Sequence, residues 1–196
     1  MKGTRRRSVF RRRESGQTDY HRRLKLLRGK KARAVVRVSN TRVTCQMVNW
    51  SAGGDLVLAT VTGSDLAKKF DWPEDFSQKS VPACYLTGFA LGKAAMAQGC
   101  TDAVLDIGLA GSTPGGRVFS ALKGMVDAGM DIPHSDSVLP EDNRINGAKA
   151  EVSRNRKAAW PLGVATEGRL VPVLIAIANR SNSARSISPA FNAASI

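Results

Sequence analysis

Apolar residues recur with a period of two in three early segments of the chain. Over residues 33–38, Ala34, Val36 and Val38 alternate with Val35 and Arg37, the pattern of a half-buried strand. Residues 42–48 alternate again with Val43, Cys45 and Met47 inward, and Ser39-Asn40-Thr41 supplies a tight hairpin between the two. A third strand over 56–62 follows the Gly53-Gly54 turn and completes an antiparallel meander. A short helix over 64–70 then leads into a polar and aromatic loop with Trp72, Pro73 and Phe76.

The period changes after Pro82, which suits the first turn of a helix reaching Gln98. Its Gly88, Ala90, Gly92, Ala94, Ala95 and Ala97 would allow close approach to a sheet. Residues 103–107 are apolar except for Asp106, as expected of a parallel central strand covered on both faces. After a loop over 108–116, Val118, Leu122 and Met125 mark one side of a helix closed by Gly129. A polar helix is expected over 140–156, starting at Pro140, and residues 170–178 look strand-like before a Ser- and Ala-rich, mobile end. Strands followed by two crossover helices predict an α/β domain with a mixed sheet.

Charge changes this picture at one end only. The chain of 196 residues carries a net +14 with a pI near 10.4. Residues 1–33 hold fourteen basic side chains against Glu14 and Asp19, which leaves only +2 for all the rest. A near-neutral body with a cationic arm points to a polyanionic partner. Residues 1–16 have only Val9 and Phe10 as large apolar groups, so the arm is expected to stay disordered until it meets that partner. Those two residues also offer little area for inserting into a membrane surface. Thr18 is placed to cap a following helix with Asp19 in its first turn and Gly29 at its end. Tyr20, Leu24 and Leu27 would form the docking stripe, with His21, Arg22, Arg23, Lys25 and Arg28 facing outward.

Other chemistry is sparse. Cys45, Cys84 and Cys100 lack a CxxC spacing and read as reduced thiols. No apolar stretch is long enough for a signal peptide or a bilayer span, so a soluble cytosolic protein is expected. Arg37 and Arg42 flank a turn whose Ser, Asn and Thr could bond bases and ribose hydroxyls. The segment Gly111-Ser112-Thr113-Pro114-Gly115-Gly116-Arg117 opens a helix and could cradle a phosphate, although it lacks the ending of a nucleotide-hydrolase loop. Asp106, Asp127 and Asp131 could be imagined as a metal site for phosphodiester cleavage, but structural roles fit them better. His134, in Ile132-Pro133-His134-Ser135, reads as a loop residue.

Five groups of segments together resemble one family. They are Thr18-Asp19-Tyr20 with Arg23-Leu24-Lys25-Leu26-Leu27; Arg37-Val38-Ser39-Asn40; Tyr85-Leu86-Thr87-Gly88; Ala103-Val104-Leu105-Asp106-Ile107-Gly108; and Arg117-Val118-Phe119 through Leu122-Lys123-Gly124, Asp127-Ala128-Gly129 and Ile132-Pro133-His134. In order and spacing they resemble the 5S-rRNA-binding large-subunit ribosomal protein, eighteenth in the universal series, in its archaeal and eukaryotic branch. The resemblance covers residues 5 to about 150. It implies a mixed-sheet α/β/α core of the ribonuclease-H-like type without nuclease activity, with no cofactor or metal. It also implies 5S rRNA as principal ligand, contacts with large-subunit rRNA, a neighbouring 5S-binding ribosomal protein in the central protuberance, and residence in the cytoplasmic ribosome.

The expected organisation is a basic arm and first helix over 1–30, a core domain over 31–156 and a tail over 157–196. The residues expected to touch RNA are Arg5, Arg6, Arg7, Arg11, Arg12 and Arg13 in the arm, and Tyr20, His21, Arg22, Arg23, Lys25 and Arg28 in the helix. Arg33, Arg37, Asn40 and Arg42 around the hairpin, and Thr113, Gly115, Gly116 and Arg117 in the glycine loop, complete the set. Gly147-Ala148-Lys149-Ala150 departs from the family's more usual Gly-Ala-His-Ile, and the tail is less charged than in relatives. A metal-dependent nuclease using Asp106 and Asp127, or a general basic nucleic-acid chaperone, are the alternatives.

Overall fold

A computed structural model describes residues 9–70, 72 and 76–147. The expected strand at 170–178 and the tail lie outside them. Strands β1 (Ala32–Val38), β2 (Val43–Ser51) and β3 (Gly54–Thr62) form the antiparallel meander, and β4 (Ala103–Asp106) runs parallel to β1. The order is β3-β2-β1-β4. Among the described residues β4 is therefore an edge strand rather than the central one its apolar run suggested. Its Val104 and Leu105 are only half-buried, and the central place goes to β1, paired on both sides.

Alternation decides what each face carries. Ala34, Val36, Val43, Cys45 and Met47 are fully buried against two helices, α4 (Val81–Ala97) and α5 (Arg117–Asp127). Burial pushes the Cys84 thiol up to about 12 and the Cys45 thiol higher still, so both stay protonated and pack as small apolar groups. A satellite core forms where Leu66 of α3 (Gly63–Lys69) meets Trp72, Ala83 and Leu86. The aromatic loop thus contributes packing, and the Trp72 indole donates to the Phe76 carbonyl at 3.3 Å.

The small residues of α4 serve a different neighbour from the one expected. They admit α5, not only the sheet. A Cβ on Gly88 would lie 2.1 Å from the Ala121 carbonyl oxygen, and one on Gly124 2.2 Å from that of Tyr85. Both obstacles are backbone, so the helices must separate to accept a methyl group. Gly124→Ala should lower unfolding free energy by about 1–3 kcal/mol or more, the range for overpacked cores. A urea melt of the variant against the parent checks this.

The N-terminal segment departs from expectation in three ways. Residues Arg11–Glu14 form a short helix, α1, where disorder was expected, and Arg12 Nε donates to Thr18 Oγ1 at 3.0 Å. Asp19, not Thr18, caps α2 (Tyr20–Arg28), accepting from the His21 and Arg22 amides at 3.0 and 3.1 Å. A carboxylate is the stronger acceptor at a helix start, and these amide bonds hold Asp19 below its ordinary pKa. Leu24 points away from the body at 55% exposure, while Leu27 keeps its expected place and Arg23 and Leu26 join it on the inner side. The helix expected over 140–156 is only Asp142–Ile145, α6, within the described residues. It stops at Gly147, whose φ of 89° is left-handed.

Candidate nucleic-acid interface

The sheet face turned away from α4 and α5 carries charge. Arg33 and Arg37 project there from β1, Asp106 from β4 and Asp55 from β3. Arg33 donates to Asp106 at 3.0 Å and to Asp55 at 2.7 Å. Arg37 bonds Asp106 through its carboxylate at 2.9 Å and its carbonyl at 2.6 Å. One Arg23 nitrogen reaches both oxygens of Asp55, at 2.9 and 2.8 Å. The chain Arg37–Asp106–Arg33–Asp55–Arg23 thus runs from β1 across the sheet to α2.

Burial alone would raise the carboxyl of Asp106. The charge and hydrogen bond of Arg37, the Gly108 amide and Arg33 outweigh it and hold the group below its ordinary value of 3.8. At Asp55 burial is likewise overcome, by the hydrogen bonds of Arg23 and Arg33. Both folded values lie below the unfolded ones. Their contribution to stability is therefore fully present above the unfolded pKa and lost as pH falls through the folded values. The urea midpoint should carry their full contribution, with no pH dependence from them, between pH 7 and pH 5 and should drop below about pH 4, less steeply in Asp55→Asn.

Above this network a cleft of about 800 Å³ opens at the C-terminal ends of β1 and β4. Such crevices are where open α/β sheets usually bind ligands. Its walls come from the α1–α2 link, α2, the β1–β2 hairpin, the 107–117 loop and the start of α5. They carry Arg12, Arg22, Arg23, Arg37, Arg117 and Arg144. Two carboxylates also line it, and both are engaged: Asp19 caps α2, and Asp106 is held by arginines. The cleft is therefore a concentration of guanidinium groups, suited to phosphate oxygens at any physiological pH.

The structure brings together Arg12, Arg22, Arg23, Arg37, Thr113, Gly116 and Arg117 from the expected set. Arg22 also donates to the Gly108 carbonyl, joining α2 to the loop. Gly115 and Gly116 form the loop, but their own amides donate to the Val138 and Thr113 carbonyls at 2.9 and 3.0 Å. Any anion contact there falls instead to the first-turn amides of α5, which have no intrahelical acceptor. Arg11, Arg13, His21, Lys25 and Arg28 are exposed outside the cleft, and Tyr20 stacks at a tilt on Phe10, 5.4 Å between centroids. Asn40 and Arg42 are exposed on the hairpin, which Lys79 fastens through the Asn40 carbonyl, while Arg42 reaches Ser64 Oγ at 3.4 Å. Arg5, Arg6, Arg7 and the 148–150 departure lie outside the described residues.

Arg33 needs correction: at 2% exposure, with its guanidinium bound to the buried Asp106 and to Asp55, it is a structural cation and not a presented one. Arg144 was missed. Its only signal was a basic residue in a polar segment, far in sequence from the Arg117 it joins.

The imagined acidic triad does not assemble. Asp106 is tied to arginines and Asp127 accepts from the Tyr85 hydroxyl at 2.9 Å. The backbone of Asp131 pairs beside Thr101 and Ala103. No group of three or more His, Cys, Asp or Glu among the described residues is arranged to hold a metal. His134 Nδ1 bonds the Ile132 carbonyl at 2.7 Å, as a loop residue would. No helix among the described residues is long and apolar enough to cross a membrane.

Comparison with known proteins bears on the same residues. The family model described as "Ribosomal large subunit proteins 60S L5, and 50S L18" matches residues 4–103 and 97–135, which include most of the arm, the charge network and the cleft apart from Arg144. Large ribosomal subunit protein uL18 of Korarchaeum cryptofilum is 45% identical over 138 residues, covering 70% of this chain and 69% of the relative. That of Methanothrix thermoacetophila is 45% identical over 145 residues, covering 74% and 84%. That of Methanospirillum hungatei is 43% identical over 158 residues, covering 80% and 89%. With the match running through every cleft-lining residue but Arg144, the chain belongs to the uL18 family of large-subunit ribosomal proteins.

Proposed function

We propose that this chain, as a structural and non-catalytic constituent of the large subunit, binds 5S rRNA and helps attach it to large-subunit rRNA in the central protuberance. A neighbouring 5S-binding ribosomal protein is its protein partner there. Family membership makes it a component of the large ribosomal subunit in the cytoplasm. The observation that carries the finer reading is the convergence of Arg12, Arg22, Arg37, Arg117 and Arg144 on one cleft, within and beside an N-terminal segment, residues 1–33, that holds nearly all the net charge. The arm supplies electrostatic affinity, and the cleft, with Thr113 and the first turn of α5, supplies shape. A meander followed by a helix and a parallel β4 beside β1 supports a ribonuclease-H-like core, with α2 as the outer layer on the second face.

Filter-binding competition of 5S rRNA against an unrelated folded RNA of equal length tests the reading. The full chain should prefer 5S rRNA. A chain lacking residues 1–16 should bind both more weakly, with a shallower salt dependence. Equal binding of the full chain to both RNAs would leave only a general basic chaperone.

A further inference from the structure

Helix α2 carries five basic or potentially basic side chains, yet none of its nine residues is buried. Its apolar contact with the body is therefore slight. Two polar anchors fasten it, the chelation of Asp55 by Arg23 and the bond from Arg22 to the Gly108 carbonyl. Asp55 is itself rigidly placed, because Arg33 behind it is locked to Asp106 in the buried part of the network.

We infer that Asp55 is a positioning residue for RNA binding: it latches α2 to the sheet so that Arg22, Lys25 and Arg28 meet the RNA in one fixed geometry. This rests on the RNA-binding reading above. The expected sign is opposite to plain electrostatics. A carboxylate near a phosphate site repels RNA, so neutralising it should ordinarily strengthen binding. If Asp55 holds the helix, Asp55→Asn should instead weaken binding to 5S rRNA by about three- to tenfold, the cost of re-immobilising one or two long side chains. An unrelated duplex RNA, which needs only charge, should bind equally well or slightly tighter.

The experiment uses the full chain with Asp55→Asn, Asp55→Glu and Arg23→Gln. Amide hydrogen exchange on the free proteins reports docking of α2 without RNA. Exchange over residues 20–28 should quicken in Asp55→Asn and Arg23→Gln while the core amides of α4 and α5 stay protected. Asp55→Glu should restore both protection and 5S selectivity. Unchanged exchange in both latch variants would overturn the inference whatever the RNA assay gives. So would faster exchange with 5S affinity equal to or above that of the parent chain. If the parent chain itself fails to prefer 5S rRNA, the functional reading falls and the positioning role falls with it, while the exchange data still decide whether Asp55 docks the helix.

Discussion

Raising monovalent salt from about 50 to 200 mM should weaken the complex of the full chain with 5S rRNA by about 10⁴-fold, with a slope of log affinity on log salt of roughly −6 to −7. The estimate assumes that the arm and cleft together neutralise about eight phosphates, each releasing most of one condensed counterion. The supply of cations is adequate, because residues 1–33 hold ten arginines, of which only Arg33 is buried among those described. The charge resides mainly on guanidinium groups, so the slope should barely change between pH 6 and pH 8. A slope near −2 would mean that most arginines in the arm do not reach phosphate. Binding would then have to be ascribed to shape and hydrogen bonding alone.

Asp106→Ala should be the most damaging single change in the network, costing about 3–5 kcal/mol of unfolding free energy. Its carboxylate answers Arg33, whose side chain is 3% exposed, as well as Arg37 and the Gly108 amide. Removing it leaves a buried cation with Asp55 as its one remaining carboxylate. Arg33→Met should cost less, although it breaks the same pair from the other side. It removes the cation whose Nε has no hydrogen-bond partner among the described residues, and Asp106 keeps Arg37 and Gly108. Urea unfolding of the two variants gives the comparison. A smaller loss in Asp106→Ala than in Arg33→Met would show that the carboxylate is not what compensates the buried arginine.

Local pattern made much of this fold readable. Alternation at Ala34, Val36, Val43, Cys45 and Met47 marks the helix-facing side of β1 and β2, and Pro82, Gly99 and Gly129 mark helix boundaries. These are signals between near neighbours in the chain. The charge network is of another kind. Arg33 and Asp106 are 73 residues apart and Arg23 and Asp55 are 32 apart, so only the folded sheet reveals them as partners. Arg33 reads as one more cation of the arm until its carboxylates are seen. Leu24 was misplaced for a related reason. The inner side of α2 carries Arg23, paired with Asp55 far along the chain, together with Leu26 and Leu27. The edge position of β4 among the described residues was equally illegible, because apolar composition reports coverage of a strand's faces and not how many neighbours it has. At the site, the arm, hairpin and glycine loop were each visible as basic or turn-forming segments. Their meeting in one cleft, with Arg144 added, depends on the parallel pairing of β4 with β1.

A density map of the assembled large subunit containing this chain is the most direct trial of the RNA-binding cleft. Arg22, Arg37 and Arg117 should lie within hydrogen-bonding distance of RNA phosphate oxygens, with the arginines of residues 5–13 following the same strand. A map in which the cleft faces bulk solvent, or is filled by another protein while the arm makes no contact with RNA, would contradict it.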